Sequence, residues 1–191
     1  MKKLALAIGT LALAAPLAMA QTSTWVSDPN HSEVDFSVRH MGISNVHGRF
    51  GNVAGTIVLN DADITRSTVT ATIDVSTVDT GVTARDTHLK TADFFDVAKY
   101  PTATFTSISV QKSANGFNVS GNFTLHGVTK PVVLSVEAPS APVSGMDRKQ
   151  HVGYSASTTI SRTAFGIGSN FPAAMVSDDV KLTIELDVAR Q

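Results

Sequence analysis

Apolar and polar residues alternate with a period of two along most of the chain after residue 20, which is the pattern of β-strands that bury one face. The clearest run is the last one, where Val180, Leu182, Ile184, Leu186 and Val188 alternate with charged and hydroxyl residues. Comparable runs lie at residues 33–39, 68–75, 117–125, 132–136 and 152–160, and less regular ones at 46–59 and 103–110. Together they predict about eight strands, with a short additional piece at Trp25.

Short turn sequences separate these runs, which favours antiparallel neighbours. Asn115-Gly116 stands between two runs and is typical of a tight hairpin. Only residues 82–99 have helical character, and Tyr100-Pro101 ends that segment because the residue before proline avoids the helical region. We expect one or two short helical turns lying over one mouth of the β-structure.

Strands with a single apolar face either form a sandwich or close into a barrel. Long strands with short connections favour the barrel, which leaves no exposed strand edges. The interior of an eight-stranded barrel is just wide enough for side chains or for one ligand. An outer-membrane barrel would instead turn its apolar faces outward behind aromatic girdles. The chain has only nine Phe, two Tyr and one Trp, so an all-β, soluble antiparallel barrel with an apolar interior is predicted.

The first 20 residues have the features of a cleavable signal peptide. Two lysines precede an apolar run at residues 4–15, and Ala18-Met19-Ala20 is a small-x-small cleavage sequence. The run is shorter than the ~20 residues that span a bilayer. We therefore expect a signal peptide at residues 1–20, a single barrel domain at residues 21–191, and export to the periplasm.

Charge and composition exclude several function classes. Lys2 and Lys3 belong to the signal, so the mature chain has two fewer basic residues than the 15 of the full chain, against 16 acidic ones. An acidic balance of this kind argues against a nucleic-acid partner. The chain has no cysteine, so no thiol nucleophile and no disulfide is available.

Motifs of catalysis and metal binding are also missing from the sequence. The six histidines are scattered and form no close pair of metal-ligand spacing: His31, His40, His47, His88, His126 and His151. There is no G-x-S-x-G elbow. Gly166-Ile167-Gly168 begins like a dinucleotide fingerprint, but no helix or βαβ unit follows. We predict no catalytic residue, no metal and no cofactor.

Six short motifs, in order along nearly the whole mature chain, resemble those of the YceI-like family of periplasmic polyisoprenoid-binding proteins. The most specific stretch is residues 85–89, Arg-Asp-Thr-His-Leu, followed by residues 93–96, Asp-Phe-Phe-Asp. The other motifs lie at residues 28–36, 46–50, 100–105, 121–131 and 161–166, the last followed by the closing strand at 176–188. Phe123 stands where the family often has leucine, a conservative departure.

The resemblance implies a lipocalin-like, elongated antiparallel barrel and a homodimer. It also implies a tunnel that takes a polyisoprenoid, such as an isoprenoid quinone, a quinone precursor or a prenyl pyrophosphate. The sequence is therefore interpreted as a binding and carrier protein, not an enzyme, that makes transient contact with a membrane. Two alternatives stay open: a periplasmic enzyme acting on a hydrophobic substrate in the same cavity, and a stress-response protein whose barrel is filled by its own side chains.

The candidate site residues fall into two sets. The predicted apolar lining of the tunnel is Phe36, Val38, Phe50, Ile57, Ile73, Val75, Leu89, Phe94, Phe95, Phe105, Phe123, Leu134, Ile160, Phe165, Ile167 and Ile184. The predicted head-group ligands are Arg85, His88 and Arg162, because guanidinium and imidazolium groups bind pyrophosphate or quinol oxygens. The alternatives are ordinary core packing for the lining residues and, for Arg85, pairing that fixes the covering loop.

Overall fold

The structure, a computed structural model, describes residues 21–191. The predicted signal peptide lies outside the described residues. The described chain forms strands β1 (Thr22–Ser27), β2 (Glu33–His40), β3 (Ser44–Phe50), β4 (Ala54–Asn60), β5 (Thr68–Asp74), β6 (Thr102–Ser113), β7 (Gly116–Leu125), β8 (Val128–Glu137), β9 (Val143–Ser144), β10 (Gln150–Ser161) and β11 (Val176–Arg190). Helix α1 spans Thr83–Leu89, and three 3₁₀ turns lie at Ile64–Arg66, Val75–Thr77 and Thr163–Phe165.

Eight of the strands close into an antiparallel barrel, which confirms the predicted fold class. Their order around the barrel is β11-β1-β4-β5-β6-β7-β8-β10, and β10 pairs again with β11 over a long register. β9 adds a two-residue edge to β10. The inward faces of these strands carry the alternating apolar residues, so the hydrophobic core lies inside the barrel.

Along one of its edges, the long strand β11 pairs with two different strands. Its last residues pair with β1, and its first part, from Val176 to Glu185, pairs with β2. β2 and β3 form a hairpin that continues the wall of the barrel beyond the end of β1. The prediction of a single interrupted strand at residues 46–59 was wrong. This stretch is divided into β3 and β4, since the backbone turns at Asn52, which has a φ of 52°.

Gly48 on β3 allows an aromatic ring to enter the barrel interior. It pairs directly with Phe36 of β2, and a side chain at residue 48 would overlap the Phe36 ring and the methyl group of Thr80. The ring therefore lies over the bare backbone of β3 and against Phe50, with 5.4 Å between the ring centroids. The absence of a side chain at residue 48 thus positions two aromatic rings at one end of the barrel.

That end of the barrel is covered by α1 and the turns that follow it. The prediction of a short helical segment over one mouth is confirmed by α1. After α1, the chain runs through a series of tight turns to Tyr100. Leu89, Phe94 and Phe95 from this segment pack against the barrel core. None of the helices formed by residues 21–191 has the length and apolar character needed to cross a bilayer.

Candidate functional site

Three apolar cavities lie in a row along the barrel axis. The helix-end cavity, under α1, measures about 90 Å³, the middle cavity about 70 Å³ and the mouth-side cavity about 80 Å³. Leu182 lines both the helix-end and the middle cavity, and Leu134, Ile184 and Leu186 line both the middle and the mouth-side cavity. We call this row the tunnel, since only shared side chains divide it.

β11 shows how far the tunnel extends. Val180, Leu182, Ile184 and Leu186 line it in turn from the helix end towards the other end. From Val180 to Leu186 the strand makes six residue-to-residue steps, which span roughly 20 Å. This length exceeds one leaflet of a bilayer whose hydrocarbon core is ~30 Å thick, so the tunnel suits a long, narrow apolar chain.

All but two of the residues predicted to line the tunnel lie on its walls. At the helix end these are Phe36, Val38, Phe50, Leu89, Phe94, Phe95, Ile160 and Ile167. Further along they are Ile57, Ile73, Phe105, Phe123, Leu134 and Ile184. Val75 and Phe165 are instead fully buried, each 2% exposed, behind the cavity walls.

The mouth-side cavity contains most of the wall residues that the sequence prediction missed. Among them are Leu59, Val69, Val110, Phe117, Val119, Val136, Tyr154, Ala156 and Leu186. Most belong to strands whose alternation is plain in the sequence, so their inward orientation was predictable. Which of them border empty space depends on the register of pairing around the closed barrel.

Arg162 is buried at the helix end, and its guanidinium binds the loop that closes this end. It is 4% exposed. Its N–H groups donate to five backbone carbonyls, at 3.0 Å to Ser177, 3.0 Å to Ile167, 2.5 Å to Gly168, 2.6 Å to Phe171 and 2.8 Å to Val176. All five donors of a guanidinium are thereby used. In this conformation Arg162 has no N–H left for a head group.

Arg85 and His88, the other predicted head-group ligands, also lie at the helix end. Arg85 donates through Nε to Oγ1 of Thr80 at 2.7 Å and through Nη2 to the Thr80 carbonyl at 2.9 Å, which fixes the start of α1. The exposed ring of His88 lies 2.9 Å from the carboxylate of Asp93. Neither side chain lines the three cavities, and their head-group role stays a prediction.

The opposite end of the barrel is an open mouth of about 500 Å³. Ser23 and Trp25 line it from β1, Leu59, which pairs with Ser23, lines it from β4, and Val152 and Tyr154 line it from β10. Leu59, Ile64, Phe117 and Tyr154 also line the mouth-side cavity, so the mouth leads directly into the tunnel.

Tyr154 lies at the inner wall of this mouth and Arg190 at its rim, and further polar side chains come from Gln21, Ser23, Asp61 and Ser140. Burial raises the pKa of the Tyr154 hydroxyl, which therefore stays protonated and can donate. Arg190 pairs with Trp25 across β11 and β1, and it is exposed at the rim. The loop of Pro139, Ser140 and Pro142 forms the facing wall.

His151 forms a separate ionic cluster near the mouth, on the first residues of β10. Its Nδ1 lies 2.7 Å from Asp187 and its Nε2 3.1 Å from Asp147, and its side chain is 17% exposed. The hydrogen bonds to Asp187 and then to Asp147 raise the pKa of the ring. Residues 21–191 contain no group of three or more histidine and acidic side chains able to hold a metal ion.

The His151 cluster predicts a pH dependence of stability. Because the pKa of His151 in the folded protein exceeds its ordinary value of 6.5, its contribution is fully present below about pH 6.5 and is lost as the pH rises through the folded-state pKa. His151→Gln should therefore lower the melting temperature at about pH 5.5 more than at about pH 9. His47→Gln, on an exposed position of β3, serves as the control. Equal losses at both pH values would contradict this assignment.

Comparisons with known proteins agree with the fold. The model of the YceI-like domain matches residues 25–188. A UPF0312 protein of Vibrio cholerae is 36% identical over 173 residues, which cover 87% of this chain and 89% of that protein. The solved YceI protein of Campylobacter jejuni is 32% identical and superposes with a TM-score of 0.71, covering 80% of this chain and 90% of that one.

A more distant structure shares the fold alone. It is described as a polyisoprenoid binding domain from Saccharophagus degradans implicated in plant cell wall breakdown. It is 18% identical, with a TM-score of 0.65, and the match covers 87% of this chain and 98% of that one. Since the family model extends over most of the barrel and the first two proteins exceed 30% identity, this chain belongs to the YceI-like family.

Proposed function

We propose that this protein binds a polyisoprenoid lipid with its hydrocarbon tail in the tunnel, carries it, and does no chemistry on it. The observation that carries the proposal is the row of three apolar cavities inside the barrel. Protein interiors are normally packed as densely as organic crystals. A row of voids along one axis is therefore a feature that an occupant would explain.

Side chains that border an unfilled apolar void lack the packing free energy that a bound tail would supply. Apolar cavities stay dry and accept apolar ligands. A bound tail would recover this free energy, so binding and stabilisation are expected together. Since each cavity is smaller than the ~300–1,000 Å³ of a typical ligand pocket, shared side chains such as Ile184 and Leu134 must turn aside as the tail enters.

The lining explains how a carrier can exchange such a ligand. Every buried CH₂ group gains ~0.8 kcal/mol relative to water, in a bilayer as in a protein. The tunnel therefore needs only to give the tail about the same transfer free energy as the bilayer does, while it shields the tail from water in transit. The polyisoprenoid-binding description of the Saccharophagus degradans domain, which has the same fold, supports this class of ligand.

The proposal also includes the cellular location, the oligomeric state and the membrane contact of the protein. A periplasmic location rests on the signal peptide predicted at residues 1–20, and a homodimer rests on the resemblance of the motifs to the family. Transient contact with a membrane follows from the need to load and unload a lipid. Fractionation of cells that express the full chain tests the location, and sedimentation of the purified protein tests the dimer.

A series of tail lengths tests the proposal. Ligands with one head group and one to several isoprene units are added to the purified protein, and the melting temperature and the dissociation constant are measured. We expect both to improve with each unit until the tail fills the tunnel, and then to level off. Recovery of unchanged ligand after long incubation is expected for a carrier. Conversion of the ligand would favour the enzyme, and affinity independent of tail length would contradict the proposal.

A further inference from the structure

We infer that residues 143–149, which form β9 and its turn into β10, act together with Arg190 as a docking surface for an anionic lipid bilayer. We call residues 143–149 the mouth turn. The inference rests on the proposed function, because it assigns the membrane contact of the carrier to named residues. A bilayer bound at this surface lies beside the opening of the tunnel, so a tail can enter with little exposure to water.

The mouth turn is continuous with the rim of the open mouth. Pro142, which lines the mouth, directly precedes Val143, the first residue of the turn. At the other end of the turn, Nζ of Lys149 donates to Oε1 of Gln191 at 3.2 Å. Gln191 follows Arg190, which also lines the mouth. A surface that binds the mouth turn therefore also lies against the opening.

The mouth turn exposes two large apolar side chains. Met146, at its apex, is fully exposed, and Val143 is 62% exposed. Neither belongs to the apolar clusters formed within residues 21–191. Isolated apolar side chains are common on protein surfaces, so their meaning depends on the charges around them. Apolar side chains beside basic ones are typical of segments that lie in a membrane interface.

Three cations surround this apolar apex. Arg148 and Lys149 follow it in the turn, and Arg190 lies at the adjoining rim. All three side chains are exposed, and none of them forms an ion pair with a carboxylate of residues 21–191. Basic residues close to an anionic lipid surface are attracted to it. The long stems of Lys and Arg also tolerate contact with apolar surface while their charged groups stay at the level of the phosphates.

Two carboxylates beside these cations are bonded to the same histidine ring. Nδ1 of His151 lies 2.7 Å from Asp187, and its Nε2 lies 3.1 Å from Asp147. A ring between two carboxylates favours its protonated form, which offsets one of the two negative charges. Asp61 is the one acidic residue among residues 21–191 that lines the mouth itself. The mouth turn therefore presents more positive than negative charge to a facing surface.

Backbone hydrogen bonds hold the mouth turn in one conformation. The N–H of Gly145 donates to the carbonyl of Lys149 at 2.9 Å, and the N–H of Arg148 to the carbonyl of Gly145 at 3.1 Å. The N–H of Lys149 donates to the carboxylate of Asp147 at 3.0 Å. Arg148 has a φ of 68°, which residues other than glycine seldom adopt. Because the turn is already ordered, little conformational entropy is lost when it binds.

The tip of the β2–β3 hairpin, at the opposite end of the barrel, is the natural comparison. It exposes Met41 and Ile43. Its basic side chain, Arg39, donates to the Gly42 carbonyl and to the side chain of Asn45. This end of the tunnel is closed by the loop that Arg162 holds. A bilayer bound here would not face the opening, so this tip serves as the control surface.

Cosedimentation with vesicles tests the docking surface. The purified protein is mixed with vesicles of phosphatidylcholine alone or of equal parts phosphatidylcholine and phosphatidylglycerol, at low and at high salt. We expect binding to the anionic vesicles only, weakened by salt. Met146→Ser should weaken this binding about tenfold. Arg148→Asn, which removes a cation and suits the positive φ, should weaken it about fivefold.

Two matched control variants should bind anionic vesicles like the wild type. Ile43→Ser removes an exposed apolar side chain at the opposite end, and Lys181→Gln removes an exposed cation from the outer wall of the barrel. The transfer of a prenyl quinone from anionic vesicles to the protein should be slower for Met146→Ser and Arg148→Asn. Their dissociation constants for the same quinone added without vesicles should equal that of the wild type, since neither residue lines the tunnel.

The two measurements separate this inference from the proposed function. The docking surface would be overturned if the wild type did not bind anionic vesicles, or if Ile43→Ser weakened that binding and the two mouth-turn variants did not. Uptake of the quinone without vesicles would leave the proposed function in place in either case. A protein that binds vesicles through the mouth turn but takes up no prenyl quinone would support the docking surface and contradict the proposed function.

Discussion

Ala71→Phe is expected to abolish lipid binding while the barrel stays folded. Ala71 lies on the inward face of β5 and lines the middle cavity beside Phe105. A phenyl ring at this position would fill the middle cavity and separate the helix-end cavity from the mouth-side cavity. A tail that stopped there would lose many buried carbons, and the loss of only four CH₂ groups, about 3 kcal/mol, already lowers affinity roughly a hundredfold.

The matched control for this variant is Thr72→Phe, which adds a similar ring to the exposed, outward face of the same strand. Titration with a prenyl quinone should show loss of binding for Ala71→Phe and unchanged binding for Thr72→Phe, with both proteins melting cooperatively. Ala156→Phe, in the mouth-side cavity, is a second way to block the tunnel if residue 71 tolerates the larger side chain poorly. Full binding by cooperatively folded forms of both blocked variants would contradict a tail inside the barrel.

Arg162→Gln should cause the largest loss of stability. The substitution removes the donors of five backbone carbonyls in and beside the segment from Ile167 to Ser177. A glutamine amide has two donors, so several buried acceptors would lose their partner. We expect a loss of about 3–5 kcal/mol, which for a domain of this size lowers the melting temperature by roughly 6–20 °C.

Arg66→Gln, in an exposed 3₁₀ turn, is the control and should change the stability by less than about 0.5 kcal/mol. The same pair of variants tests the head-group role predicted for Arg162. If Arg162→Gln kept the wild-type melting temperature but bound a prenyl diphosphate more weakly, Arg162 would be a ligand of the head group. Its assignment as the residue that holds the closing loop would then be wrong.

Much of the barrel is predictable from alternation alone. β11 shows why: Leu182, Ile184 and Leu186 repeat with a period of two, which requires a strand with one buried face wherever its partners lie. The division between β3 and β4 was not predictable in the same way. It depends on the positive φ of Asn52, and the local sequence also permits a bulged continuous strand.

The chemical character of the site was predictable from the sequence, but its geometry was not. The apolar character of the tunnel follows from residues such as Ile73 and Phe123, whose inward faces alternation identifies. The open mouth depends on long-range closure, since Trp25 and Tyr154 belong to strands far apart in sequence. Arg162 has a charge that suggests a ligand, whereas its carbonyl partners lie in a loop whose backbone course no side-chain pattern reveals.

Extraction of the native ligand tests the central claim most directly. The protein is purified without detergent from the envelope of the cells that produce it, extracted with organic solvent and analysed by mass spectrometry, with the Ala71→Phe protein treated in the same way. We expect a prenyl lipid in amounts close to one per wild-type protein and almost none from the variant. Wild-type protein that yields no prenyl lipid, and that takes up none when prenyl lipids are added, would show that the barrel is not a carrier.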